Sequence, residues 1–139
     1  LVLGIYTSGN KLYVATGNGL SISTDGGNTF TNKTTTNGLG ANNVSGVYVS
    51  GSTVYAATSN GLSISTDGGN SFSNKTTGVA YNLLFGLSVS GSKIFGATTD
   101  GLVISTDVGN SFTVKTNTDG LGDNWINGVF SSGSTVYAA

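Results

Sequence analysis

Gly19 to Asn28 reads GLSISTDGGN, and the same ten residues return unchanged from Gly61 to Asn70. A third copy, GLVISTDVGN, runs from Gly101 to Asn110. Outside these lies a second recurring stretch. GSTVYAA at Gly51–Ala57 returns at Gly133–Ala139, with the variants GNKLYVA from Gly9 and GSKIFGA from Gly91. Self-similarity at a fixed period decides an architecture before any single residue does. Asp25 and Asp67 are 42 positions apart, and Asp67 and Asp107 are 40 apart. The shortfall lies in one loop, where TTGVAYNLLFG (Thr76–Gly86) replaces TTTNGLGANNVSG (Thr34–Gly46).

Each repeat carries four short strand signals set apart by turn residues. In the middle copy these are Val44–Ser50, Thr53–Thr58, Leu62–Ser65 and Ser71–Thr76. Leu62 and Ile64 alternate with serines at the strand period of two. Connections of two to five residues force neighbouring strands to pair antiparallel. No stretch has the 3.6-residue apolar spacing of a helix, so helix is expected to be nearly absent. Four-stranded antiparallel units repeating every 40 to 45 residues are the pattern of β-propeller blades. A sandwich would not repeat its hairpins so faithfully, and solenoid coils are shorter. The expected fold is all-β, with blade units at about 1–42, 43–83 and 84–125 and a half unit at 126–139. That makes about three and a half blades.

Ser23-Thr24-Asp25-Gly26-Gly27-Asn28-Thr29-Phe30 resembles the Asp-box, or BNR-type, pattern S-x-D-x-G-x-T/S-W/F. Ser65–Phe72 and Ser105–Phe112 repeat it in register, with Val108 at a free position of the pattern. The Asn37–Asn43 loop, NGLGANN, also resembles the propeller repeats of bacterial two-component sensors. The first resemblance implies a folding device between a blade's third and fourth strands. Physical chemistry points the same way. An Asp opening a tight turn accepts bonds from backbone N–H groups a few residues on, and glycine supplies the positive φ. Asp25, Asp67 and Asp107 are therefore expected to be structural. Phe30, Phe72 and Phe112 are expected to anchor the outer strand by burying their rings.

The alphabet removes whole classes of chemistry. Only 8% of residues are charged, against about 25% in an ordinary soluble domain. Cys, His, Arg, Glu and Gln are all missing. That excludes disulfides, thiolate nucleophiles, zinc fingers and Ser-His-Asp triads. It also excludes the bidentate guanidinium clamp. Sialidases that share the Asp-box grip a substrate carboxylate with arginines, so that activity is set aside. A net charge of −1 with five scattered lysines argues against a nucleic-acid surface. No apolar run approaches the roughly 18–20 residues of a membrane span. No catalytic residue, metal site or cofactor is expected. The Gly/Ser/Thr/Asn-rich, charge-poor chain is expected outside the cell or at its surface. With Leu1 already inside a strand pattern, it reads as a processed chain or a fragment.

In a propeller, turns divide between two faces. The turns after strands one and three share one face, and those after strands two and four share the other. The distinctive residues fall on the second face: Tyr81, Trp125, Asp119 and Asp123 in the long loops, and Asp100 in a strand-two turn. One reading is a glycan site, with a ring stacked on a sugar and Asp groups bonding its hydroxyls. Another is that Trp125 and Tyr81 plug gaps between blades while the aspartates make local turns. A third, a fragment of a larger propeller glycoside hydrolase, would need two of Asp100, Asp119 and Asp123 at a working separation.

Ile126–Ala139 supplies strands one and two of a fourth unit, for fourteen strands in all. Closed propellers have at least about four blades. The expected function is a non-enzymatic structural or interaction module, a homo-oligomer or one completed by a strand-donating partner. Residues 1–8 and 126–139 would carry that contact, giving a ring or a fibre.

Overall fold

The structure is a computed structural model, and it describes residues 1–75 and 84–139. Among the described residues are fourteen strands in four antiparallel sheets. The first sheet holds β1 (Val2–Ser8), β2 (Lys11–Thr16), β3 (Gly19–Ser23) and β4 (Thr31–Lys33). The second holds β5 (Val44–Ser50), β6 (Thr53–Thr58), β7 (Gly61–Ser65) and β8 (Ser73–Lys75). The third holds β9 (Gly86–Ser90), β10 (Lys93–Thr98), β11 (Gly101–Ser105) and β12 (Thr113–Lys115). The fourth is a hairpin of β13 (Val129–Ser132) and β14 (Thr135–Ala138). Strand order within each sheet follows the sequence. The first strands of successive sheets lie side by side, β1 by β5, β5 by β9 and β9 by β13. This is the blade arrangement of a β-propeller, all-β and left incomplete.

Registers repeat from blade to blade. Tyr13 faces Ile22, Tyr55 faces Ile64 and Phe95 faces Ile104 across the second and third strands. Period-two alternation then sends neighbouring residues of one strand to opposite faces of the blade. Val54 and Ala56 pack toward the first blade, with Tyr13, Ala15, Leu20, Ile22, Leu39, Val44, Val49 and Phe72. Tyr55 and Ala57 turn the other way, joining Leu62, Ile64, Leu84, Val89 and Ile94. The core is thus a series of slabs between blades, each made from two different faces. Tyr48 lies between the slabs, its ring 5.1 Å from Tyr6 and 6.4 Å from Tyr55 in tilted contacts.

The turn after strand three is built from side-chain oxygens. Ser65 Oγ donates to Asp67 Oδ1 at 2.7 Å and accepts the Gly69 N–H at 2.8 Å. Asp67 Oδ1 accepts the N–H groups of Asn70 and Ser71, and Oδ2 accepts the Ser71 hydroxyl at 2.6 Å. Ser23/Asp25/Thr29 and Ser105/Asp107/Ser111 repeat the network. Because Ser71 N–H is spent on the carboxylate, the fourth strand starts two residues later than its sequence pattern suggests. Gly69 has φ +94°, and a Cβ there would collide with Ile22 Cδ1 of the preceding blade. The third copy departs from the others at Val108, which takes φ +59° where Gly26 and Gly68 have +76°. A β-branched residue is strained in that region.

Phe72 is buried at 9% exposure, between its own blade and the one before it. Phe30 corrects the expectation that every turn aromatic buries its ring, for it is 48% exposed. The covering surface belongs to the preceding blade, and no described residue stands there for the first blade. Among the described residues, helix is confined to single 3-10 turns at Thr35–Asn37 and Asn117–Asp119.

Candidate functional site

Two long loops on the face opposite the Asp turns share one scaffold. In the first, the Thr34 N–H donates to Asn37 Oδ1 at 3.1 Å and the Thr35 N–H to Asn42 Oδ1 at 2.9 Å. In the second, the Thr116 N–H donates to Asp119 Oδ2 at 3.0 Å and the Asn117 N–H to Asn124 Oδ1 at 2.7 Å. Asp119 therefore does the work of Asn37. Lys115 Nζ lies 3.0 Å from its other oxygen, and the Thr116 N–H and the lysine hold its pKa below the ordinary value. Besides Asp119, the loop differs from its twin at Asn117, Asp123 and Trp125, which replace Thr35, Ala41 and Asn43.

Trp125 is the exposed feature of this loop. Its ring lies nearly parallel to Phe85, with centroids 6.3 Å apart and planes 7° apart. Its indole N–H donates to Asn127 Oδ1 at 3.2 Å, and its backbone N–H to Asp123 Oδ1 at 3.0 Å. At 58% exposure Trp125 does not fill a gap between blades, so the plug reading fails for this residue. Phe85 was not singled out in the sequence. The signal was its place in the repeat, where the other units carry Leu3, Ser45 and Asn127.

Asp100 is exposed in the turn after β10. Its N–H donates to Thr98 Oγ1 at 3.1 Å, and its Oδ2 accepts from Thr99 at 3.3 Å. Asn18 and Asn60 make the same backbone bond to Thr16 and Thr58. Tyr81 and the 78–83 loop lie outside the described residues. The structure thus joins Trp125 to Asp123 and Phe85, and ties Asp119 into its own loop. Among the described residues no three acidic side chains form a group able to hold a metal ion. One cleft, about 220 Å³, lies between the first two blades around Lys11, Thr29, Lys33 and Asp67, away from Trp125.

A chain of antiparallel sheets side by side about their first strands is a β-propeller domain. Residues 2–134 match the DUF6242 beta propeller domain model, and the chain belongs to that family. No curated protein matches it. Among solved structures it is similar to the computationally designed Ika4 protein, at 11% identity and a TM-score of 0.74, covering 99% of this chain and 84% of that one. It is also similar to an ancestral GH74 enzyme, at 21% identity and a TM-score of 0.75, covering 99% of this chain and 21% of the enzyme. A third is the extracellular domain assigned to a hybrid two component system of B. thetaiotaomicron, at 13% identity and a TM-score of 0.79. There the match covers 99% of this chain and 19% of that one. The chain thus spans about a fifth of the length of the last two, and these likenesses show the fold.

No helix among the described residues is long and apolar enough to cross a membrane.

Proposed function

We propose that this chain is a non-enzymatic structural module, placed outside the cell or at its surface, whose two end faces are covered by further copies of itself. One comparison carries the reading. Tyr13, Tyr55 and Phe95 are 2%, 4% and 5% exposed, yet Tyr137 at the same repeat position is 58% exposed. The opposite end shows the converse. Val44 is fully buried, while its equivalent Val2 is 57% exposed. Ile5 and Phe30 lie on the first blade, Phe130 and Tyr137 on the last, all exposed. The first blade's face and the two-stranded part of the last one's correspond to surfaces that meet between blades inside the chain, so a second copy would meet the same residue types there. A head-to-tail contact of this kind gives a ring or a fibre.

The turns of Asp25, Asp67 and Asp107 are, in this reading, Asp boxes of the BNR type. Local bonding of Asp119 and Asp123, with an alphabet lacking His, Cys, Arg and Glu, favours a non-enzymatic role. An extracellular domain among the similar structures, together with the charge-poor composition, favours the location. Sedimentation velocity tests the assembly. The intact chain is expected as a multiple of 13.9 kDa. Tyr137→Asp, or deletion of residues 126–139, shifts it to smaller species. A single 13.9 kDa species at all concentrations contradicts the reading.

The exposed Trp125 ring favours a second reading, glycan binding on the loop face. An aromatic face beside Asp123 suits stacking on a sugar and bonding its hydroxyls. Trp125→Ala should then abolish glycan-array binding with an unchanged melting temperature. Absence of any glycan bound by the intact chain rules it out.

A further inference from the structure

The cleft of about 220 Å³ between the first two blades has both its walls in complete four-stranded sheets. On β2, Lys11 stands two residues before the buried Tyr13, and on β4 Thr31 and Lys33 lie opposite Ile22 and Leu20. Strand alternation therefore turns Lys11, Thr31 and Lys33 toward the second blade, the side on which Tyr13, Leu20 and Ile22 are buried. The Asp67–Asn70 turn of the second blade forms the other wall. Among the described residues the one ion pair is Lys115–Asp119, which leaves Lys11 and Lys33 unpaired. Asp67 faces them with its oxygens already engaged by Ser65, Asn70 and Ser71. Two lysines against one aspartate give the cleft one net positive charge. We propose that this cleft binds a small polyhydroxylated monocarboxylate, the size of one hexuronate sugar. Its carboxylate is drawn to Lys11 and Lys33, and its hydroxyls bond to Thr24, Thr31 and Asn70. A sugar phosphate, at about −1.5 to −2 near pH 7, exceeds that single positive charge and is repelled by Asp67.

The next blade boundary carries the same cleft with a different lining. Ile64, Thr66, Ser73 and Lys75 stand there in the places of Ile22, Thr24, Thr31 and Lys33. Two positions change the character of the cleft. Thr53 stands where the first cleft has Lys11, so one of the two cations is lost. Val108 stands where the first has Gly68, and its exposed side chain lines the cleft. At Gly68 a Cβ would meet nothing within 4 Å, so glycine leaves the first cleft open. A second lysine and an unobstructed mouth thus belong to the first cleft and not to its repeat. Lysine, a compact charge on a flexible stem, reaches a carboxylate from either side without the fixed geometry of a guanidinium.

The site is independent of the end faces and of self-assembly. Glucuronate, glucose and glucose 6-phosphate are each titrated calorimetrically into the full chain at neutral pH. Glucuronate is expected to bind at one site per chain, more weakly as salt rises. Glucose, which lacks the charge, and glucose 6-phosphate, which carries too much of it, should bind at least tenfold more weakly. Lys11→Thr, which installs the residue that the second blade carries at this position, should weaken glucuronate more than tenfold with an unchanged melting temperature. The double variant Thr53→Lys with Val108→Gly should raise the stoichiometry to two. No saturable binding of glucuronate, equal binding of either other sugar, or full binding by the Lys11→Thr chain overturns the proposal. A double variant that still binds one glucuronate overturns it as well, since the two positions would then not define the site.

Discussion

Replacing Tyr55 with alanine is expected to destabilise the chain by roughly 3–5 kcal/mol, the usual range for deleting a buried aromatic ring. The ring sits in the slab between the second and third blades, in one cluster with Leu62, Ile64 and Leu84. In dilute solution Tyr137→Ala should cost less than about 0.5 kcal/mol, as is typical of an exposed site. The two residues share one repeat position and pair within one hairpin type. Their difference measures what the following blade and the third strand of the same blade contribute together. Urea unfolding of the two variants measures it, and equal losses in dilute solution contradict the slab description.

Acid is expected to undo the fold through the three Asp turns together. Asp107 is held down from 3.8 to about 2, chiefly by the Ser111 hydroxyl, then by the Ser111 N–H and Ser105. Asp25 and Asp67 are lowered in the same manner, led by Thr29 and Ser71. Depressed carboxylates bind fewer protons folded than unfolded, so stability rises with pH across their range. Their contribution is fully present above the unfolded value and is lost as pH falls through the folded one. Melting temperature should therefore drop steeply between about pH 5 and pH 2, where such groups titrate. The Asp67→Asn variant should show a shallower slope. A melting temperature unchanged across that range contradicts the assignment.

The blade plan was legible in the sequence because three near-identical copies fix the register of turns, and each turn limits what its strands can do. Strand ends were less legible. Ser71 has the composition of a strand residue, but its N–H serves Asp67. The candidate site was legible only in part. Trp125 stood out as a residue unlike its repeat equivalents, yet its partner Phe85 lies forty residues away, just ahead of β9. Asp119 looked like a spare carboxylate, although comparison with Asn37 shows that the loop needs an acceptor there. Phe30 marks a different limit. Its sequence context matches that of Phe72, and only the neighbouring blade decides which of the two rings is buried. A repeat pattern specifies the role of a position and says nothing of whether the adjoining unit is there to complete it.

Hydroxyl-radical footprinting of Tyr137 across a concentration series tests the covering of the end faces most directly. If further copies cover them, Tyr137, Val2 and Ile5 become protected together as concentration rises, while Tyr55 stays protected throughout. If the faces stay bare, Tyr137 reacts equally at the lowest and the highest concentration, and the module does not assemble through its ends.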